Sequence, residues 1–266
     1  MYDRFNRRIS YLRVSVTDRC NLRCTYCMPA EGVKLLSHDD ILSFEEIVEI
    51  VREAVAIGIT KVRITGGEPL VRKGIVSLVD RIAAIGGIED FGLTTNGILL
   101  QDFAADLAGA GLHRINISLD TVDPAKFETI TRGGDIYKVF AGIRAALTAG
   151  LTPVKINCVV RNSSDEPDAK AVGEFCLENG LEARFIHEMS LANGRFAIVE
   201  NGHGGDCVHC NRLRLTANGM IRPCLFSNIQ FSTRELGIRP ALEKAIGLKP
   251  EKGGVNVNGA FHNMGG

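Results

Sequence analysis

The stretch Lys61-Val62-Arg63-Ile64-Thr65-Gly66-Gly67-Glu68-Pro69 decides the fold class. Its first five residues alternate polar and apolar and include β-branched side chains, so 61–65 reads as a strand. Two glycines suit the turn that ends it, and a proline suits the start of a helix. A helix then follows over 73–85. The same strand–turn–helix unit recurs on both sides. Strands are expected at 11–16, 91–95, 114–119, 154–160 and 183–187, and helices at 43–58, 100–110, 123–149 and 166–179. Ser43 and Glu46 form a capping-box pair, and Ile47, Ile50, Val51, Ala54 and Ile57 share one helical face. Six β-α repeats in the first 190 residues predict a parallel α/β domain. The period alone fits an open doubly wound sheet and a partial barrel equally. After Glu188 the pattern breaks into a loop over 193–206 with Gly202, Gly204 and Gly205 close together. A boundary near Met189 divides the chain into 1–188 and 189–266.

Composition narrows the function classes. The 266 residues are 45% hydrophobic and 23% charged, which allows a sizeable core and excludes wholesale disorder. Thirty-one Lys+Arg balance thirty-one Asp+Glu. A protein held to nucleic acid or an anionic membrane by bulk charge would be more basic. The polar N-terminal stretch has no apolar core of a signal peptide. No run of about eighteen apolar residues exists to span a membrane. A reducing cytoplasm is the expected setting. There, the eight cysteines read as metal-binding rather than as a disulfide scaffold.

Six of them fall into two groups. Cys20-Asn21-Leu22-Arg23-Cys24-Thr25-Tyr26-Cys27 places three thiols just after the first strand, where ligand sites sit in α/β folds. Three soft thiolates this close hold an iron–sulfur cluster with one iron left open, or three corners of a zinc site. The second group is Cys207-Val208-His209-Cys210, then thirteen residues, then Cys224. A turn at Thr216-Ala217-Asn218-Gly219 joins two short strands and returns Cys224 to the pair. Zinc is a stronger rival here, with His203, His209 or His262 as fourth ligand. Cys158, in an apolar strand, and Cys176, in a helix, read as core thiols.

A third feature is charge where a core does not want it. Lys61, Arg63 and Thr65 share one face of their strand by alternation. Strands of a parallel barrel are buried on both sides, so an inward cation is costly unless paired. Arg13, Lys155 and Arg184 repeat the anomaly. With Arg212 and Arg214 they could surround one polyanion, for which the planar arginine fork is apt. Local ion pairs are the plainer account of any one of them.

The cysteine spacing with Tyr26 before the third thiol, Gly66-Gly67-Glu68-Pro69, Thr94-Thr95-Asn96-Gly97 and Asn116-Ile117-Ser118-Leu119-Asp120 together resemble the radical S-adenosylmethionine (SAM) superfamily. The Cys207–Cys224 pattern enclosing Arg212-Leu213-Arg214, with the terminal Gly265-Gly266, resembles its GTP 3′,8-cyclases of molybdenum cofactor biosynthesis. The resemblance covers 13–266. It implies a partial (β/α)6 TIM-like barrel with a small C-terminal iron–sulfur domain. It also implies SAM and two [4Fe-4S] clusters, one on Cys20, Cys24 and Cys27 and one on Cys207, Cys210 and Cys224. Tyr26, Gly66, Gly67, Glu68, Asn96, Ser118 and Met189 would bind SAM. Arg13, Lys61, Arg63, Thr94, Lys155, Arg184, Arg212, Leu213 and Arg214 would bind GTP. An adenosyl radical would take the ribose 3′ hydrogen, C3′ would attack guanine C8, and the closing reduction would be assisted by Arg13 or the second cluster. The glycine pair would insert toward the site. Further implied are an electron donor such as flavodoxin, a downstream cyclic pyranopterin synthase and a homodimer.

Two departures stand out. The segment 184–207 is a few dozen residues shorter than usual in that family. Arg184-Phe185-Ile186-His187 ends in histidine where the family has glutamate, with Glu188 next. A smaller lid is expected. The rivals are a radical SAM enzyme acting on another substrate such as a peptide, and a non-catalytic iron–sulfur or zinc module.

Overall fold

Alternating strands meet helices that present one apolar side, and a layered α/β structure results. In a computed structural model, which describes residues 1–257, strands β1 (Tyr11–Ser15), β2 (Lys61–Thr65), β3 (Asp90–Thr95), β4 (Arg114–Ser118), β5 (Lys155–Val160) and β6 (Glu182–His187) lie side by side in chain order. Each is parallel to the next. One side-chain set of each inner strand, such as Leu12 and Val14 or Val62 and Ile64, is fully buried in one continuous core. That core takes in the apolar sides of α1 (Phe44–Ala56), α2 (Ile75–Ala83), α3 (Leu100–Gly109), α5 (Ile136–Thr148) and α6 (Pro167–Glu178). The capping box of Ser43 and Glu46 starts α1 as expected.

The single helix expected over 123–149 is two, α4 (Pro124–Thr131) and α5. The reason is local. Arg132 and Gly133 adopt left-handed φ values of 56° and 109°, which ends a right-handed helix. The Asp135 side chain then accepts from the Tyr137 N–H and caps the next one.

Beyond β1 the sheet continues through β7 (Arg212–Leu215), parallel to β1, then through β8 (Met220–Arg222) and β9 (Phe231–Ser232), both antiparallel. The β7–β8 hairpin is the one expected around Thr216–Gly219. Two helices close the described chain, α7 (Thr233–Leu236) and α8 (Ile238–Gly247). The motifs give no expectation here, although positions 238, 241, 242, 245 and 246 have helical spacing. Ala241, Leu242, Ala245 and Ile246 of α8 join the main core. A smaller apolar group, Leu191, Leu225 and Phe226, lies apart from it. The Gly265-Gly266 tail and His262 lie outside the described residues.

The sheet is strongly curled. From β6 to β7 along the sheet there are seven strands, roughly 29 Å if flat at about 4.8 Å per step. Yet Arg184 of β6 and Arg212 and Arg214 of β7 line one cavity of about 320 Å³. The parallel strands therefore wrap around that cavity as a partial barrel.

Candidate active site

Register builds the inner face. Tyr11 of β1 lies between Lys61 of β2 and Arg212 of β7, and Arg13 lies between Arg63 and Arg214. Period-two alternation then points both rows into the cavity, joined by Asn116 of β4, Asn157 of β5 and Arg184 of β6. Gly92 lies opposite Arg63 on β3, where a Cβ would already come within 3.5 Å of the Arg63 guanidinium. The missing side chain leaves that cation its space.

Arg63 and Arg214 are 3% and 7% exposed. Burial pulls Arg63 down to about 10 and Arg214 to about 9, so both stay charged at neutral pH. Among the described residues, buried Nε atoms of Arg63, Arg184 and Arg212 meet no hydrogen-bond acceptor. Desolvated guanidinium groups in this state favour an anionic ligand. Tyr11 sits among them, its ring 5.1 Å from the Lys61 ammonium, 6.0 Å from the Arg63 guanidinium and 5.7 Å from that of Arg212. Burial alone would push the Tyr11 phenol up. Arg63, Arg13, Arg212 and Lys61 outweigh it and bring the phenol down to about 8. Asp90 takes Lys61 at 2.6 Å and Arg114 at 2.6 and 2.7 Å. These contacts outweigh burial and hold its carboxyl well below the usual range.

A second cavity of about 200 Å³ lies alongside and shares Asn157, Ile186 and Met189 with the first. Cys20, Cys24 and Cys27 line it with Tyr26, Gly66, Gly67, Glu68, Asn96 and Ser118. The cysteine loop docks on the end of α4. Arg23 and Thr25 N–H groups donate to the carbonyls of Thr131 and Ile130, and Arg132 donates to those of Arg23 and Met28. The break between α4 and α5 is thus what receives the loop. On the other side, Gly67 N–H donates to Thr17 O and Glu68 N–H to Arg19 O, both at 2.8 Å. The approach requires glycine, because a Cβ on Gly67 would lie 2.4 Å from Arg19 O.

Glu68 is 1% exposed. It accepts from the Leu70 and Asn96 N–H groups and the Thr95 hydroxyl. Burial still wins and raises it to about 7. The Tyr26 hydroxyl donates to Asp120 at 2.8 Å. Burial drives the Cys24 and Cys27 thiols up to about 12 and 11, so iron entering there would displace their protons.

The remaining thiols, Cys207, Cys210 and Cys224, border the same cavity as the strand rows. Burial raises Cys224. At Cys210 the Lys249 ammonium and Arg212 outweigh burial and lower the thiol. The shortened segment forms a strap. Glu200 bridges to Phe185, and Ser190 to Arg195. The His187 ring lies 3.2 Å from Glu200, so the histidine that departs from the family pattern ties the strap to β6. Phe196, Val199, Gly202, His203, Gly204 and Gly205 of the strap line the cavity.

The structure brings together Arg13, Lys61, Arg63, Arg184, Arg212 and Arg214 in one cavity and places three other residues expected at the nucleotide elsewhere. Thr94 lines the smaller cavity with the first thiols. Lys155 borders neither cavity and forms a close ion pair with Glu182. Leu213 is fully buried in the core, because alternation turns it away from its two arginine neighbours. Tyr11, Asn157 and Lys249 were missed, and Asn116, read only as part of a motif, also lines the cavity. Tyr11, Asn116 and Asn157 share the parity of recognised site positions on their strands, a signal available in advance. Cys158 and Cys176 are buried core thiols, and His209, a zinc candidate, is exposed and pairs with Asp206 at 2.8 Å. Among the described residues, no helix is long and apolar enough to cross a membrane.

A family model described as the radical SAM superfamily matches residues 14–175. A protein of Thermodesulfovibrio yellowstonii named GTP 3′,8-cyclase is 43% identical over 305 aligned positions, which cover 94% of this chain and 95% of that protein. One of the same name from Geobacter sulfurreducens is 41% identical over 314 positions, covering 98% and 96%. Both alignments are longer than the 266-residue chain, so parts of these relatives face gaps in it. Among solved structures, Streptococcus suis SuiB matches with TM-score 0.56 at 19% identity over 69% of this chain and 40% of that one. Methylornithine synthase (PylB) matches with TM-score 0.56 at 16% identity over 68% and 54%. At these identities the structural likeness bears on the fold alone.

Proposed function

The chain belongs to the radical SAM superfamily and, within it, to the GTP 3′,8-cyclase family, and on that footing we propose that it converts GTP to (8S)-3′,8-cyclo-7,8-dihydroguanosine 5′-triphosphate in molybdenum cofactor biosynthesis. The observation that carries this reading is the pair of cross-strand cation rows opening into the same cavity as Cys207, Cys210 and Cys224. That cavity also shares a wall with the one holding the first thiols.

Cys20, Cys24 and Cys27 would hold the first four-iron cluster, with Gly66, Gly67, Glu68, Asn96, Ser118, Tyr26 and Met189 around SAM. Together these groups supply hydrogen-atom abstraction from carbon when bound. The chain's own part is positioning. Arg13, Lys61, Arg63, Arg184, Arg212 and Arg214 hold the triphosphate, and Tyr11 spaces the cations until an anion takes its place among them. The shared wall of Asn157, Ile186 and Met189 sets a nucleotide in one cavity beside SAM in the other. The strap over 190–206 limits water.

A second cluster on Cys207, Cys210 and Cys224 is supported by the donor set. Three thiols bordering a cavity suit such a cluster. Arg13, at the centre of its row, is the candidate for assisting the closing reduction. A cytoplasmic setting, a flavodoxin-like donor and a downstream cyclic pyranopterin synthase complete the reading.

Anaerobic incubation of the reconstituted chain with SAM, reductant and GTP tests it, with mass analysis of the product. The cyclised nucleotide is expected, with about eight irons per chain. Absence of measurable GTP affinity would sink the reading. SAM cleavage driven by a peptide but not by GTP would point to the other substrate class.

A further inference from the structure

Lys249 follows α8 and is 1% exposed. Its ammonium meets two carbonyls. Nζ donates to Arg212 O at 2.7 Å and to Pro223 O at 2.5 Å. Its charge also acts on the Cys210 and Cys224 thiols, which in turn favour the charged ammonium. An ammonium has three N–H donors, and two of them are taken by these carbonyls. The carbonyls belong to the segments that carry the thiols, since Arg212 lies just beyond Cys210 and Pro223 precedes Cys224. The neighbouring cation, Arg7, takes the carbonyls of Cys207, Pro250 and Glu251 and is already paired with Asp3. The lysine backbone is thereby clamped to the loop of the third thiol, while its ammonium ties together the segments that carry Cys210 and Cys224. Burying an ammonium is costly unless it is matched by negative charge. A thiolate-bound cluster supplies that charge.

We infer that Lys249 is the fixed counter-charge of the second cluster, a positioning residue that gathers Cys210 and Cys224 and raises the reduction potential of the cluster they hold. The inference rests on the reading of Cys207, Cys210 and Cys224 as cluster ligands. Its physical content is that a fixed positive charge near the cluster stabilises the added electron.

The test is an anaerobic redox titration of the reconstituted protein followed by electron paramagnetic resonance, comparing wild type with Lys249→Gln and Lys249→Arg. The second-cluster signal is the one perturbed by GTP. Lys249→Gln, which keeps N–H donors and removes the charge, should shift the reduction equilibrium of that signal at least tenfold toward the oxidised state, 59 mV for one electron. Lys249→Arg should stay within threefold of wild type. Loss of the second cluster in the Gln variant alone, with retention in the Arg variant, also supports the inference. Loss in both, or an unchanged equilibrium in a Gln variant with full iron, overturns it. Wild-type protein grown on lysine labelled with ¹⁵N at Nζ gives a check free of folding effects. The reduced second cluster should show ¹⁵N coupling in pulsed spectra, and its absence also overturns the inference. Only about four irons in wild type would instead remove the underlying reading of the second triplet.

Discussion

Gly67→Ala tests how the glycine turn is coupled to the cysteine loop. The added Cβ would lie 2.4 Å from Arg19 O, 2.7 Å from Arg19 C and 2.9 Å from Asp18 O. Ordinary contact begins near 3.4 Å, so the segment must open by about 1 Å. All three obstacles are backbone, and none can rotate aside. Opening stretches two hydrogen bonds, Gly67 N–H to Thr17 O and Glu68 N–H to Arg19 O, each worth about 1 kcal/mol. Overpacking strain adds about 1–3 kcal/mol. The expected loss is roughly 3 kcal/mol, about a hundredfold in the folding equilibrium. Cys20 follows Arg19 directly, so the displacement also moves the first thiol. Urea unfolding of the anaerobically prepared protein measures the stability, and equilibrium dialysis with SAM measures the site. SAM affinity should fall at least tenfold. Gly86→Ala is the control, since nothing lies within 4 Å of its Cβ, and it should stay within about 0.5 kcal/mol. The close approach is refuted by a Gly67→Ala protein that keeps full iron, stability within 0.5 kcal/mol of wild type and SAM affinity within threefold.

Tyr11 should give a phenolate absorbance change with a midpoint near pH 8, missing in Tyr11→Phe. Because the folded value is depressed, the stabilisation is complete above the ordinary value near 10 and is lost as pH falls through 8. Inorganic triphosphate should move the midpoint upward, and an unmoved midpoint would place the anion elsewhere. Glu68 has the opposite sign. Its folded value is raised to about 7 from 4.5, so stability declines between those pH values, by about 3 kcal/mol in all for a fully buried carboxyl. Glu68→Gln should flatten that decline in urea titrations at pH 5 to 7, while weakening SAM binding because an amide NH₂ must face one of the donors now satisfied. Asp90→Asn should cost about 2 kcal/mol, less than a fully buried pair because the carboxylate is 29% exposed. In a Lys61→Met background the cost should fall, and an unchanged cost would mean that Lys61 and Asp90 do not interact.

Much of the site was legible because strand parity is a local property. Alternation alone put Lys61 and Arg63 on one face and Val62 and Ile64 on the other, as the structure has them. The same rule, applied to Arg212-Leu213-Arg214, already assigns Leu213 to the core. Tyr11 was legible by parity with Arg13 but carries no charge and drew no notice. Lys249 was not legible, since its partners Arg212 and Pro223 stand 37 and 26 residues away and only the β7–β8 hairpin folds them against it. The broken helix at 132–134 was visible as paired glycines, but its use as a seat for the cysteine loop was not.

By itself the sequence determined the strand–helix order of the first six β-α units, apart from the break at 132–134, the two thiol triplets and the side of each strand that bears charge, because spacing within a segment sets orientation along it. Only the tertiary structure decided which charges meet. Setting β7 beside β1 and curling seven strands brings Arg212 and Arg214 to Arg13 and Arg184. The same geometry leaves Lys155 with Glu182 and puts Thr94 in the other cavity. Neighbourhood in a sheet follows from crossovers and register, which no local period encodes.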